Sequence, residues 1–112
     1  MKKRKSLGYV YLLKSDTVLS DDFGEYVYYK WGCTRKTPEE RCCVINQRNK
    51  KYGKFSVIDS FYTKNPFYFE RQFLFFSQTI KEFVGVYKKD KDILENIFCE
   101  FKQKVIDGKI KW

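Results

Sequence analysis

Two short runs of strand-forming residues near the start of the chain constrain the fold most. Residues 7–14 carry Tyr, Val and Leu in succession and end at a polar Lys-Ser-Asp stretch, and residues 26–32 (YVYYKWG) end at Gly32. Aromatic and β-branched residues of this kind favour strands. The polar residues 15–25 between them contain Gly24 and indicate a loop or the turn of a wide hairpin. We therefore predict two antiparallel strands at the start of the fold.

A helix signal follows these two strands. Thr37 is a suitable N-cap, Pro38 occupies the first helical position, and Glu40 completes a capping box. The spacing predicts a first helix that ends near residues 52–53, where Gly53 stands. Residues 55–62 (FSVIDSFY) then read as a third strand because apolar residues alternate at its start.

The second half of the chain predicts two more helices. Asn65-Pro66 opens one over residues 66–77, and residues 81–87 read as a short extended piece. Asp90 or Asp92 starts the last helix, which runs to about residue 106 with apolar residues at helical spacing. The predicted class is α+β, a three-stranded antiparallel sheet flanked by about three helices. At 112 residues this is one domain over residues 7–112, preceded by a basic tail at residues 1–6.

The charge balance bears on the partner of the chain. Lys and Arg number 23 against 14 Asp and Glu, a net charge of +9. A small domain this basic is attracted to phosphate backbones, although an acidic protein partner or an anionic membrane surface would also fit the charge alone. No apolar run is long enough to span a bilayer, and the N-terminus does not have the pattern of a signal peptide. We expect a cytoplasmic protein, in the host cytoplasm if it is viral, and its four cysteines fit a reducing compartment.

The chain contains no histidine. This excludes a histidine base, a Ser-His-Asp triad and a Cys-His pair. Proton transfer at neutral pH must therefore involve Tyr, Lys, a carboxylate or water activated by a metal ion. The four cysteines form no closely spaced ligand pair of the CxxC type, so the sequence also argues against a zinc site.

Four polar residues stand where the surrounding pattern does not require them. Glu70 lies in a largely aromatic helix, Arg41 lies early in the first helix, and Tyr11 and Lys30 lie in the first two strands. Each has an ordinary structural explanation: a surface ion pair for Glu70 and Arg41, an amphipathic core edge for Tyr11, and a solvent-facing or edge position for Lys30. Together they would supply a carboxylate for Mg²⁺ and cations for a phosphate.

The spacing of these residues resembles that of the GIY-YIG nuclease superfamily. Its first motif is similar to residues 8–13 (GYVYLL), and its second is similar to residues 30–34 (KWGCT). The nearest likeness is to a phage and bacterial branch with GYVY and K-x-G motifs. That branch also has an arginine in the next helix, here Arg41 in TPEER, and a glutamate in the following one, here Glu70 in FYFERQF. The blocks occur in order, and the resemblance covers nearly the whole chain.

The resemblance implies a metal-dependent DNA endonuclease. Tyr11 would act as general base or would position the attacking water, and Lys30 would lower the pKa of Tyr11 or contact the phosphate. Glu70 would bind one divalent cation, Mg²⁺ or Mn²⁺, and Arg41 would stabilise charge at the scissile phosphate. Which of Tyr11 and Lys30 serves as the base remains open.

Three positions depart from the family pattern. Lys30 replaces the tyrosine of the second motif, Leu74 stands where many members of the branch have a histidine, and Asn96 is not assigned the role of the family's late asparagine. A catalytically degenerate, nucleic-acid-binding domain and a viral protein-interaction module are the alternatives. The expected partner is DNA, double-stranded, with a homo-oligomer as an option. The expected DNA contacts are Trp31, Arg35, Lys36, Arg48, Lys50 and Lys51.

Overall fold

The computed structural model describes residues 7–48, 51–77 and 83–110, and within them five strands and three helices follow one another. The order along the chain is β1 (Gly8–Ser15), β2 (Leu19–Asp21), β3 (Gly24–Thr34), α1 (Pro38–Arg48), β4 (Phe55–Thr63), α2 (Pro66–Ser77), β5 (Phe83–Tyr87) and α3 (Lys91–Ile106).

The long strand β3 organises the sheet, whose order is β2–β3–β1–β4 with β5 also paired to β3. All four pairings are antiparallel, and β1 and β3 are aligned so that Tyr11 lies opposite Gly32. The α+β class is confirmed, and so is the antiparallel pairing of the first two predicted strands.

The predicted number of three strands is wrong. β2 falls within residues 15–25, which we predicted as a loop or turn, and β5 falls within residues 81–87, which we predicted as a short extended strand outside the three-stranded sheet. Three residues are too few to show an alternating pattern, and β2 exists because its backbone pairs with the start of β3. β5 gains its pairing in the same way, from Tyr26 to Lys30.

The two faces of the sheet carry separate cores, as the alternation of side chains in a strand requires. The larger core joins one face to α2 and α3, and its members include Leu12, Trp31, Phe73, Phe98 and Phe101. The smaller core joins the other face to α1 and is built on Tyr11, Leu13, Cys42, Ile45 and Phe55. Successive residues of β1 therefore serve opposite cores.

The helix starts largely follow the prediction. The hydroxyl of Thr37 accepts a hydrogen bond from the backbone N–H of Glu40 at 3.2 Å, and the side chain of Asn65 accepts one from Tyr68 N–H at 3.3 Å. Asp90 occupies the N-cap position of α3 but makes no side-chain capping hydrogen bond. α1 ends at Arg48, before the predicted end near residues 52–53, and residues 51–52 form a turn.

Asn46 fastens α1 to the start of β4. Its amide nitrogen donates to the carbonyl oxygen of Phe55 at 2.9 Å, and its side-chain oxygen accepts from Phe55 N–H at 2.8 Å. The amide thus satisfies both polar groups of a strand residue that is 2% exposed. Over the described residues no helix is long and apolar enough to cross a membrane, and the four cysteines are free thiols.

Candidate active site

The phenol of Tyr11 lies across β3 because Gly32 has no side chain. A Cβ added at Gly32 would lie 2.6 Å from the Tyr11 hydroxyl oxygen and 3.0 Å from Cζ. Any side chain at position 32 would therefore occupy the space of this hydroxyl. Tyr11 itself is 1% exposed, so its position is set by the smaller core on one side and by Gly32 on the other.

Arg41 reaches Tyr11 from α1. Pro38 and Ile45 are buried on the same side of the helix, three residues before and four residues after Arg41, so Arg41 lies at the margin of the packed face. Burial raises the pKa of Tyr11 to about 12, and the Arg41 guanidinium, as a hydrogen-bond donor and through its charge, opposes that rise. At neutral pH the phenol therefore keeps its proton and is bound by a cation.

Glu70, on α2, reaches the same end of β1 and β3. The start of this helix packs against β1, since a Cβ at Gly8 would lie 3.1 Å from Pro66 Cγ. Glu70 follows Pro66 by four residues, which places both on one side of α2. Its Oε2 accepts a hydrogen bond from Cys33 Sγ at 2.9 Å, and Cys33 lies directly after Gly32 in β3.

At this end of β1 and β3, Tyr11 and Arg41 lie on the face of the smaller core, whereas Glu70 contacts Cys33, which packs against the larger core on the opposite face. The negative charge of Glu70 still adds to the rise in the pKa of Tyr11. Burial, followed by the hydrogen bond to Glu70, raises the pKa of the Cys33 thiol, while Arg41 opposes the rise. The thiol is therefore a neutral donor that holds the carboxylate.

Sequence reasoning gave Cys33 no role. It stands inside the second motif, between Gly32 and Thr34, but its partner lies 37 residues away on α2. The only signal for Cys33 in the sequence was its position in the second motif, which also contains the proposed catalytic residue Lys30. Only the packing of α2 against the sheet shows that this thiol meets a carboxylate.

Lys30 lies farther back on the same face of β3. It precedes Gly32 by two residues, pairs with Leu13 on β1 and Phe83 on β5, and is 4% exposed. The cation that lowers the pKa of Tyr11 is Arg41.

The predicted DNA-contacting cations lie at two places. Arg35 and Lys36 are exposed in the loop between β3 and α1, next to the candidate site, whereas Arg48 is exposed at the other end of α1 and Lys51 just after it. The 11 residues of α1 separate the two pairs by roughly 16 Å. Lys50 lies outside the described residues.

Trp31 is not available as a DNA contact. It is 1% exposed and belongs to the larger core, where its ring meets that of Phe73 edge to face at 5.4 Å between centroids. The prediction that Trp31 contacts nucleic acid is therefore wrong. The cause is strand alternation, which turns Trp31 to the face opposite Lys30 and Gly32.

A divalent cation would find one carboxylate here. Within residues 7–48, 51–77 and 83–110, no three Cys, Asp or Glu side chains form a group that would hold a metal. Glu70 alone still fits Mg²⁺, because this ion is commonly bound by one or two carboxylates, with water and substrate phosphate completing its shell. The hydrogen bond from Cys33 uses one of about four acceptor positions on the carboxylate, so others remain for a cation.

Comparisons of the chain with protein-family models, with curated proteins and with solved structures find no match in any of the three. The class of the protein therefore comes from its own fold, an α+β domain with an antiparallel sheet. Its candidate active site is the group of Tyr11, Cys33, Arg41 and Glu70.

Proposed function

We propose that the protein is a metal-dependent endonuclease that hydrolyses phosphodiester bonds in DNA. The observation that carries the proposal is that the Tyr11–Arg41 pair and the carboxylate of Glu70, which come from three different elements, lie at the same end of β1 and β3. A phenol, a guanidinium and a carboxylate at one place match the needs of phosphodiester hydrolysis, which are an oriented water, a Lewis acid and a cation at the developing charge.

Arg41 would bind the scissile phosphate. A guanidinium presents two N–H groups in one plane, which suits two oxygens of a phosphate. Tyr11 would hold the attacking water rather than remove its proton, because its pKa of about 12 keeps the phenol protonated at neutral pH. This division of roles leaves the proton to be taken by water or by the substrate phosphate.

Glu70 would be the protein ligand of Mg²⁺ or Mn²⁺, which supplies a Lewis acid next to the phosphate when it is bound. Cys33 would keep the carboxylate in place through its hydrogen bond. The expected partner is DNA, since the net charge of +9 attracts a polyanion and Arg35 and Lys36 are exposed beside the site. One site per chain would nick one strand, and cutting both strands would take two copies.

A plasmid-nicking assay tests the proposal. Supercoiled plasmid is incubated with the purified protein and Mg²⁺ or Mn²⁺, beside Glu70→Gln and Arg41→Ala. Glu70→Gln keeps the size of the side chain and removes its charge. The matched controls are Glu100→Gln, on the exposed side of α3, and Arg71→Ala, which is exposed on α2 directly after Glu70.

We expect nicking that needs the metal, falls by at least about 100-fold in both site variants and is unchanged in both controls. DNA binding without nicking, equal in the wild type and Glu70→Gln, would replace the nuclease with a binding domain. Nicking that survives in Glu70→Gln would remove Glu70 from the mechanism.

A further inference from the structure

Four tyrosines form a continuous row on the face of the sheet that carries Tyr11. The rings of Tyr87 and Tyr26 are 5.8 Å apart between centroids, those of Tyr26 and Tyr28 are 5.8 Å apart, and those of Tyr28 and Tyr52 are 4.5 Å apart. All four side chains are half-buried. Each ring therefore has one part packed and one part open to solvent.

Gly85 leaves room for two rings of the row above β5. It pairs with Tyr28, and a Cβ added there would lie 3.3 Å from the ring of Tyr26 and 3.6 Å from that of Tyr28. The rings of Tyr26 and Tyr28 therefore lie next to Gly85, which has no side chain to displace them. Tyr28 and Tyr52 pack against the smaller core, whereas Tyr26 and Tyr87 carry the row beyond it toward the β2–β3 hairpin.

The row lies on the face of β3 that also carries the candidate active site, nearer the other end of the strand. Tyr26, Tyr28, Lys30 and Gly32 alternate along β3 and therefore share one face. Gly32 follows Tyr28 by four positions, which is roughly 13 Å along a strand. Because the Tyr11 hydroxyl lies over Gly32, a chain lying on the tyrosines in the direction of β3 would arrive at Tyr11.

Positive charge lies at both ends of the row. The ammonium of Lys89 is 5.9 Å from the centre of the Tyr87 ring, and that of Lys51 is 5.5 Å from the centre of the Tyr52 ring. Two carboxylates lie at the end of the row nearest the β2–β3 hairpin. The Tyr87 hydroxyl donates a hydrogen bond to Asp21 at 2.7 Å, and Glu25 forms an ion pair with Lys88 at 3.0 Å. A polyanion would be repelled beyond Tyr87 and attracted between the two lysines.

We infer that this row, Tyr87–Tyr26–Tyr28–Tyr52, binds single-stranded nucleic acid, with bases stacked on the tyrosines and phosphates near Lys51 and Lys89. Sequence-tolerant single-strand binding combines such a series of aromatic rings with a basic surface, because every base has a face that can stack. The structural alternative is that the tyrosines only cover the sheet, and it predicts an effect on stability without an effect on binding.

This binding does not depend on the hydrolysis proposed above. The two proposals are linked only by position, since a single strand held on the row would lead to the site at Tyr11. If both hold, the preferred substrate is DNA with a single-stranded segment next to the cut. Binding is therefore measured in the Glu70→Gln background, in which the probe stays intact and a failure of the nuclease proposal leaves the result unaffected.

The experiment is a fluorescence-anisotropy titration of a labelled oligothymidylate of about 12 nucleotides, within the site sizes of ~4–16 known for single-strand binding. The variants are Tyr26→Leu and Tyr87→Leu, which remove the aromatic face, and Tyr26→Phe, which keeps it. Tyr62→Leu is the matched control, because Tyr62 is 57% exposed, meets Tyr9 in a similar edge contact and lies on β4, which β1 separates from β3.

We expect each leucine variant to weaken binding of the single strand by roughly 5- to 100-fold, the phenylalanine variant to bind within about 2-fold of the parent, and Tyr62→Leu to bind like the parent. Lys89→Ala adds a readout that does not require a change in the core. It should reduce the slope of log affinity against log salt by about 0.7, while Lys109→Ala, at an exposed position after the end of α3, leaves the slope unchanged.

Equal affinity of the parent and both leucine variants for the oligothymidylate would overturn the inference, as would an unchanged salt slope in Lys89→Ala. An equal loss of affinity in Tyr62→Leu would also overturn it. Tighter binding to oligouridylate, lost in the same leucine variants, would keep the row as the site and assign it to RNA.

Discussion

A methyl group added at Gly32 would force Tyr11 out of its place. In Gly32→Ala the new Cβ would lie 2.6 Å from the phenolic oxygen, and neither partner has room to yield, since Tyr11 is 1% exposed and Gly32 is paired with Tyr11 on β1. Overpacking of this kind costs about 1–3 kcal/mol. Because the displaced group is the one beside Arg41, the same change should also reduce DNA cleavage.

Urea unfolding of four proteins isolates this contact: the wild type, Gly32→Ala, Tyr11→Phe and the double variant. Removing the hydroxyl leaves Cζ as the nearest atom, at 3.0 Å, so Gly32→Ala should cost about 1 kcal/mol less in the Tyr11→Phe background. Gly85→Ala is the control, since its Cβ would approach Tyr26 no closer than 3.3 Å. An equal cost of Gly32→Ala in both backgrounds, or a cost no larger than that of Gly85→Ala, would refute the reasoning.

Three further outcomes are expected. The pKa of Tyr11 is about 12 in the folded protein against 10.0 for an exposed tyrosine. Its contribution to the free energy of unfolding, up to about 3 kcal/mol, is therefore lost as the pH rises from about 10 to 12. The free energy of unfolding of Tyr11→Phe, measured with urea, should fall correspondingly less over that range. Asn46→Ala should lower the unfolding free energy by about 1–3 kcal/mol, because the buried backbone N–H and carbonyl of Phe55 each lose a hydrogen bond, although the carbonyl also accepts one from Cys42 Sγ at 3.1 Å; an unchanged midpoint would contradict this. Cys33→Ala should raise the Mg²⁺ concentration needed for half-maximal cleavage several-fold, and Cys33→Ser, which keeps a donor to Glu70, should restore it.

Local signals in the sequence were sufficient for much of the fold. The cap at Thr37, with Pro38 after it, predicted the start of α1, and Asn65-Pro66 predicted α2 with the bounds that the structure has. These signals work because capping and the fixed φ of proline act within a few residues. Because these elements start where predicted, Arg41 reaches Tyr11 and Glu70 reaches Cys33 at the same end of β1 and β3.

The features that sequence reasoning missed all depend on contacts across the chain. β2 exists only through its pairing with β3, and Cys33 acquires a role only when α2 brings Glu70 to it. The error at Trp31 was avoidable from the sequence alone, because the alternation of side chains along β3 places Trp31 on the face opposite Lys30. The same alternation would have placed Tyr26 and Tyr28 on the face of Gly32, but only the structure adds Tyr87 and Tyr52 to the row.

The most direct test of the central claim is whether Arg41 and Glu70 act in one site. Single-turnover cleavage of plasmid in saturating Mg²⁺ is measured for the wild type, Arg41→Ala, Glu70→Gln and the double variant. Residues that act as a unit in one site lose activity non-additively. The predicted result is a large loss in each single variant and a double variant about as slow as the slower single one. A wild-type rate in either single variant, or a double loss equal to the product of the single losses, would contradict the account.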